Sequence, residues 1–169
     1  ALNTVCLWLS VPALLFAAIY SLLKRFTALC HFWLGATLGL APLAGWLSVN
    51  PASLGLAPVL LFWAVTFWVA AFDIYYAFQD MDFDVAFELH SVPASFGPDT
   101  ALTLAAFSHA MTSIFLLLAG FAAAVRLRLE HREEIDSHVR ALRTYAHRRL
   151  EEIPGLIFIG PDDAPHILS

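Results

Sequence analysis

Two carboxylates four residues apart, Asp80 and Asp84, close the segment Tyr76-Ala77-Phe78-Gln79-Asp80-Met81-Asp82-Phe83-Asp84, where a nearly uncharged stretch ends. On a helical turn, side chains at i and i+4 point the same way. Hard oxygen ligands of this kind suit magnesium, which binds through one or two carboxylates and substrate phosphates. The chemistry indicated is capture of a divalent cation, and through it a phosphate-rich head group, at the mouth of a membrane helix. Asp82 lies about 200° around the helix from Asp80 and is expected in solvent. The Asp-x-Asp-x-Asp pattern also begins a calcium EF-hand loop. That reading fails, because Val85 stands where the loop requires Gly and Ser91 where it requires Glu.

The elements that must position these carboxylates follow from composition. The 169-residue chain is 60% hydrophobic and 14% charged, with a mean hydropathy of +0.72. A soluble domain of this size cannot hide so much apolar surface, so the bilayer must act as solvent. Lys and Arg are absent from Phe26 to Val125. Residues 1–125 carry two basic and six acidic groups, and residues 126–169 carry seven and eight. With no basic stripe to neutralise phosphates along a duplex, nucleic acid is excluded as a partner. Cys6 and Cys30 lack metal-ligand spacing and are expected as small core residues. The chain opens on Ala1 without a positive n-region, so it is expected to begin inside a longer protein.

Four membrane spans are expected. Residues 1–23 are uncharged and end at Lys24-Arg25. Residues 26–72 are uncharged for 47 residues, too long for one crossing of a bilayer core of about 30 Å. Ser48-Val49-Asn50-Pro51-Ala52-Ser53 divides that run into helices near 27–47 and 55–79. A fourth span covers 100–125. Gly35-x-x-x-Gly39 allows two helices to approach closely. Threading these crossings puts the Lys24-Arg25 loop and the acidic 80–99 loop on one side, so the only basic pair of the core can meet the carboxylates. From Arg126 to Glu152 the chain reads as a soluble amphipathic helix with Ile135, Val139, Leu142 and Leu150 as its apolar stripe. Pro154-Gly155 ends it, and Leu156–Ile159 reads as a short strand. The fold class expected is all-α, a polytopic membrane bundle over 1–125 with a short soluble α/β tail over 126–169.

Residues 1–125 resemble the middle-to-late part of the UbiA family of membrane prenyltransferases, in its 4-hydroxybenzoate polyprenyltransferase branch. The resemblance rests on Tyr20-Ser-Leu-Leu-Lys24-Arg25-Phe26-Thr27, Cys30-His31-Phe32-Trp33-Leu34-Gly35, Asp73-Ile-Tyr-Tyr76 through Asp84, and Leu89-His90-Ser91-Val92-Pro93 with Phe96-Gly97. It implies a nine-helix membrane fold, of which about four helices are present. It implies transfer of a polyprenyl group from its diphosphate to a 4-hydroxybenzoate-like aromatic acceptor, in quinone biosynthesis at the bacterial inner membrane with the site facing the cytoplasm. The family's second aspartate motif, which binds Mg2+ and the diphosphate, falls on Asp80 and Asp84. Its YxxxK motif falls on Tyr20 and Lys24, with Arg25 and His90 placed to join them at the diphosphate. Asp73, deep enough in a span to be costly unless functional, is assigned with Tyr76 to the catalytic wall near the acceptor. His31 and His109 are expected as hydrogen-bonded interior residues.

The sequence also departs from the family pattern. The first aspartate motif, NDxxDxxxD, does not occur in these residues, so the 169-residue chain alone is expected to be inactive. Val85-Ala86 and Glu88 stand where many relatives carry a basic residue and a Gly. Two other readings compete: a non-catalytic membrane scaffold that binds lipid, and a fusion whose tail defines the biology. The tail, from His138 through Pro154-Gly155, Gly160-Pro161 and Pro165–Ser169, resembles part of the cysteine desulfurases and class V aminotransferases, but it lacks a lysine for pyridoxal phosphate.

Overall fold

The computed structural model describes residues 3–52 and 54–154. Its helices, in chain order, are α1 (Thr4–Leu23), α2 (Cys30–Val49), α3 (Leu56–Ala77), α4 (Met81–Ala86), α5 (Val92–Phe96), α6 (Pro98–Glu130) and α7 (Arg132–Glu151). No strand occurs among the described residues. The chain divides into two units, residues 1–122 and 123–169.

In the first unit, α1 and α2 form an antiparallel hairpin. Asn3 caps α1 by accepting the Cys6 N–H at 2.9 Å, and its amide donates to the Leu47 carbonyl at the far end of α2, 2.8 Å away. Further along, the Trp33 indole N–H donates to the Phe16 carbonyl at 2.8 Å, and the two rings stack 4.1 Å apart. Helix α3 then packs on α2 through the two glycines. A Cβ at Gly35 would lie 2.1 Å from the Thr66 carbonyl oxygen, and one at Gly39 would lie 2.7 Å from that of Phe62. The Gly35-x-x-x-Gly39 step is therefore where the two backbones touch, as small-residue packing in membranes requires.

Burial runs opposite to that of a soluble protein. Ala64, Ala70, Ala71, Ala77, Ala101 and Ala105 are buried, whereas Trp8 and Leu117 are each 75% exposed. Lipid explains this inversion, since hydrocarbon solvates large apolar side chains and leaves small residues to bring helices together. Helices α2, α3 and α6 are long and apolar enough to cross a membrane, and α1 contributes a shorter apolar segment, Thr4–Tyr20. The protein is an integral membrane protein. The four expected spans correspond to α1, α2, α3 and α6, the first two being 20 residues long each. The segment expected as an 80–99 loop instead contains α4 and α5. Ala71 and Ile74 of α3, Val92 of α5, and Ala101 and Ala105 of α6 form one buried cluster that fixes this end of the unit.

In the second unit the expected single helix over 126–152 divides at His131. Arg126–Glu130 completes α6, with Arg126 paired to Glu130, and α7 starts afresh at Arg132. Arg128 pairs with Asp136 across this break. Helix α7 carries Glu133 and Glu134 in its first turn and Arg148 and Arg149 in its last, the arrangement that the helix dipole favours. Ile135, Val139 and Leu150 are half-buried and Leu142 is exposed. The expected strand over 156–159, and with it the α/β character of the tail, lies outside the described residues.

Candidate functional site

Lys24 ends α1, where its backbone still has helical angles, and the chain turns there towards α2. Its ammonium lies 2.7 Å from Oδ1 of Asp84, whose side chain is fully buried. Beyond this ion pair, no hydrogen bond to either oxygen of Asp84 is found among the described residues. Lys24 thus supplies countercharge without saturating the carboxylate. A buried carboxylate balanced by a single half-buried ammonium is costly, and such groups mark functional sites.

Local geometry explains why Asp84 turns inward and Asp80 does not. Asp80 caps α4 with non-helical angles, so it stands outside the helix rather than one turn below Asp84 on a continuous face. The Asp84 N–H still bonds the Asp80 carbonyl at 2.8 Å, but Asp80 and Asp82 are exposed. Helix α4 closes with paired capping bonds, Leu89 N–H to Asp84 O at 2.8 Å and Glu88 N–H to Val85 O at 3.4 Å. Glu88 occupies the left-handed region at φ 54°, the position a Schellman turn normally gives to glycine.

That turn sends residues 89–92 back as a strap across the α1–α2 junction. The His90 N–H donates to the Lys24 carbonyl at 2.7 Å, and the Cys30 thiol approaches the His90 carbonyl at 3.5 Å. The Val92 N–H donates to Nε2 of His31 at 3.1 Å. Nδ1 of His31 faces Oδ2 of Asp73 at 2.8 Å. Because Nε2 receives a donor, the proton is assigned to Nδ1, which donates to Asp73. His31 is 2% exposed and uses both ring nitrogens, linking α2, α3 and the start of α5.

Of the residues singled out by sequence, the structure brings Lys24 and Asp84 into contact and places Asp80 at the cap of the helix that carries Asp84. Tyr20, four residues before Lys24, lies within electrostatic reach of Asp73. Arg25 and the His90 side chain are exposed at the same end. Asp73 has 24% of its side chain exposed and is engaged by His31. Tyr76 is 65% exposed, and it is the neighbouring Tyr75 that stacks on His109 at 5.9 Å. His109 sits against Phe72 as well, at 5.3 Å, so aromatic rings are its neighbours. Sequence reasoning missed the partner of His31. The available signal was Asp73 itself, because a buried imidazole and an intramembrane carboxylate both need partners.

Among the described residues, no group of three or more His, Cys, Asp or Glu side chains is placed to hold a metal ion. Asp84 nevertheless has two buried oxygens with no partner but Lys24 among the described residues, and Asp80 stands at the start of the same helix. This donor set fits Mg2+, which needs only one or two carboxylates when phosphate oxygens complete the shell.

A family model described as the UbiA prenyltransferase family matches residues 1–129. The chain is 34% identical over 122 residues to the mitochondrial 4-hydroxybenzoate polyprenyltransferase of Arabidopsis thaliana, an alignment covering 72% of the chain and 30% of that protein. It is 38% identical over 104 residues to the 4-hydroxybenzoate octaprenyltransferase of Klebsiella pneumoniae, covering 61% and 35%. With the 4-hydroxybenzoate octaprenyltransferase of Burkholderia orbicola it shares 32% identity over 171 residues, covering 94% and 59%. The chain therefore spans between about a third and three fifths of the length of these relatives. The resemblance of residues 126–169 to cysteine desulfurases finds no support in these matches. No solved structure matches the chain.

Proposed function

Because the chain belongs to the UbiA prenyltransferase family, we propose that it forms part of an enzyme transferring a polyprenyl group from its diphosphate to 4-hydroxybenzoate in quinone biosynthesis. The observation that carries the proposal is the buried Asp84 carboxylate, held at 2.7 Å from Lys24 and otherwise without donors. Asp80 and Asp84 hold Mg2+, which neutralises diphosphate charge when bound. Lys24 presents its ammonium to the diphosphate oxygens, with Tyr20, Arg25 and His90 around it. As the allylic C–O bond breaks, its electron pair leaves with the diphosphate, and the Lys24 charge stabilises that growing negative charge. The electron-rich ring then forms a C–C bond to the allylic cation and releases its proton to solvent.

Asp73 takes its place in the site wall through His31. Tyr76 lies on a face that lines a pocket only when another segment covers it. The Lys24-Arg25 pair at the site end supports a cytoplasmic orientation, since basic residues favour that side, and the bacterial inner membrane is the proposed location. The test is product formation by the intact protein in lipid with Mg2+, a polyprenyl diphosphate and 4-hydroxybenzoate. Asp80→Ala and Asp84→Ala should each reduce turnover about a hundredfold or more, the scale of a lost transition-state contact, while Asp82→Ala stays milder. Equal activity of all three variants would refute the assignment.

A further inference from the structure

We propose that His31 is a positioning residue, whose imidazole clamps the 89–92 strap and thereby holds the diphosphate-binding pair Lys24 and Asp84 in register. The inference rests on the proposed diphosphate site and assigns Asp73 a role in orientation rather than chemistry. The strap has no regular secondary structure before α5, so its backbone groups need partners from elsewhere. They find them on the α1–α2 junction: the Lys24 carbonyl takes the His90 N–H and His31 Nε2 takes the Val92 N–H. The same strap is tied to α4, because the Leu89 N–H bonds the carbonyl of Asp84 itself at 2.8 Å. Lys24 and Asp84 are thus joined twice, directly by their side chains and indirectly through the strap that His31 holds.

His31 can grip the strap only as the tautomer with a bare Nε2. Asp73 selects that tautomer by accepting the Nδ1 proton at 2.8 Å. An Asp73 carboxylate engaged in this way is an orienting group, and a neutral amide oxygen can accept the same proton. This separates orientation from chemistry, since a base or cation stabiliser needs the negative charge. Without the imidazole, the buried Val92 N–H loses its acceptor and the strap can lift, freeing α4 to shift against Lys24.

Cys30 supplies a readout independent of activity. It is 2% exposed and its sulfur faces the strap at the His90 carbonyl, so a lifted strap exposes the thiol. The experiment uses the intact protein in lipid with every other cysteine replaced by serine. It measures maleimide labelling of Cys30, and calorimetric binding of farnesyl thiodiphosphate, a non-reacting probe, with Mg2+. Breaking a buried hydrogen bond shifts an equilibrium by roughly 5- to 100-fold. His31→Phe should therefore speed labelling and weaken binding by about tenfold each. His31→Gln, which can still accept the Val92 N–H, should recover most of both. Asp73→Asn should stay within about threefold of the unsubstituted protein in both measurements, since a neutral pair bond is modest.

Unchanged labelling in His31→Phe would overturn the clamp. Faster labelling with unchanged binding would overturn the positioning role. Asp73→Asn that binds normally but loses turnover would show that the charge does chemistry, against the inference. Absence of binding by the unsubstituted protein would overturn the proposed function, and the positioning role with it, while the labelling ratio still reports the clamp on its own.

Discussion

Replacing Gly35 with alanine tests whether the α2–α3 contact supports the site as well as the fold. The added Cβ would lie 2.1 Å from the Thr66 carbonyl oxygen, where ordinary contact begins near 3.4 Å, so the helices must part by roughly 1 Å or more. The obstacle is backbone and cannot rotate away. Overpacking of this kind costs about 1–3 kcal/mol. One helical turn from Gly35, His31 meets Asp73 at 2.8 Å, and a parting of that size carries the pair beyond hydrogen-bond range. Loss of a buried hydrogen bond adds about 1–3 kcal/mol and alanine returns about 1 kcal/mol of helix propensity, so the net loss should be about 3 kcal/mol. Denaturant unfolding of the intact protein in mixed micelles reads this value, and maleimide labelling of Cys30 reads the strap. Gly45 is the control, because a Cβ there meets nothing within 4 Å. Gly45→Ala should raise stability by up to about 1 kcal/mol, the helix propensity of alanine over glycine. If Gly35→Ala were as stable as Gly45→Ala, with Cys30 still protected, the close approach of α2 and α3 would be refuted.

Three further outcomes follow from the same geometry. Lys24→Met strands the Asp84 carboxylate and should cost about 3 kcal/mol, near the low end for a broken buried pair; adding Asp84→Asn should recover most of that loss, and a Lys24→Met protein of unchanged stability would contradict the pair. Glu88→Gly relieves a left-handed residue at φ 54° and should raise unfolding stability by about 1 kcal/mol, whereas a loss would mean that the Glu88 side chain matters more than its backbone strain. The 169-residue stretch expressed by itself in lipid should form no prenylated product from a polyprenyl diphosphate and 4-hydroxybenzoate, and sustained turnover above an Asp80→Ala control would show that one aspartate motif is enough.

Much of the architecture was legible because lipid simplifies the rules. Uncharged runs located the spans, Gly35 and Gly39 located a close contact, and counting crossings brought Lys24 to the acidic segment. Boundaries were less legible. Hydropathy marks where the membrane ends rather than where the helix ends, so α6 runs on through Arg126 to Glu130, past the expected limit at 125. Spacing alone also suggested that Asp80 and Asp84 share a face. Helix α4 begins only at Met81, so Asp80 belongs to its cap and the i, i+4 relation does not make the two side chains equivalent. The strap was illegible for a different reason. Its contacts use backbone groups of Lys24, His90 and Val92, and backbone hydrogen bonding across 60 residues leaves no pattern in side-chain types. His31 and Asp73 could each be read as costly inside a membrane, yet their meeting depends on the rotation of α2 against α3, which the two glycines set.

Asp80 and Asp84, beside Lys24, are proposed to hold a divalent cation together with a prenyl diphosphate. Electron paramagnetic resonance of Mn2+, which shares the oxygen-ligand preference of Mg2+, measures this directly in the intact protein with farnesyl thiodiphosphate. The intact protein should show diphosphate-dependent Mn2+ binding that Asp82→Ala retains and that Asp84→Ala and Asp80→Ala each weaken by at least about tenfold, the scale of one lost charged contact. Mn2+ binding that persists undiminished in Asp84→Ala would contradict that assignment.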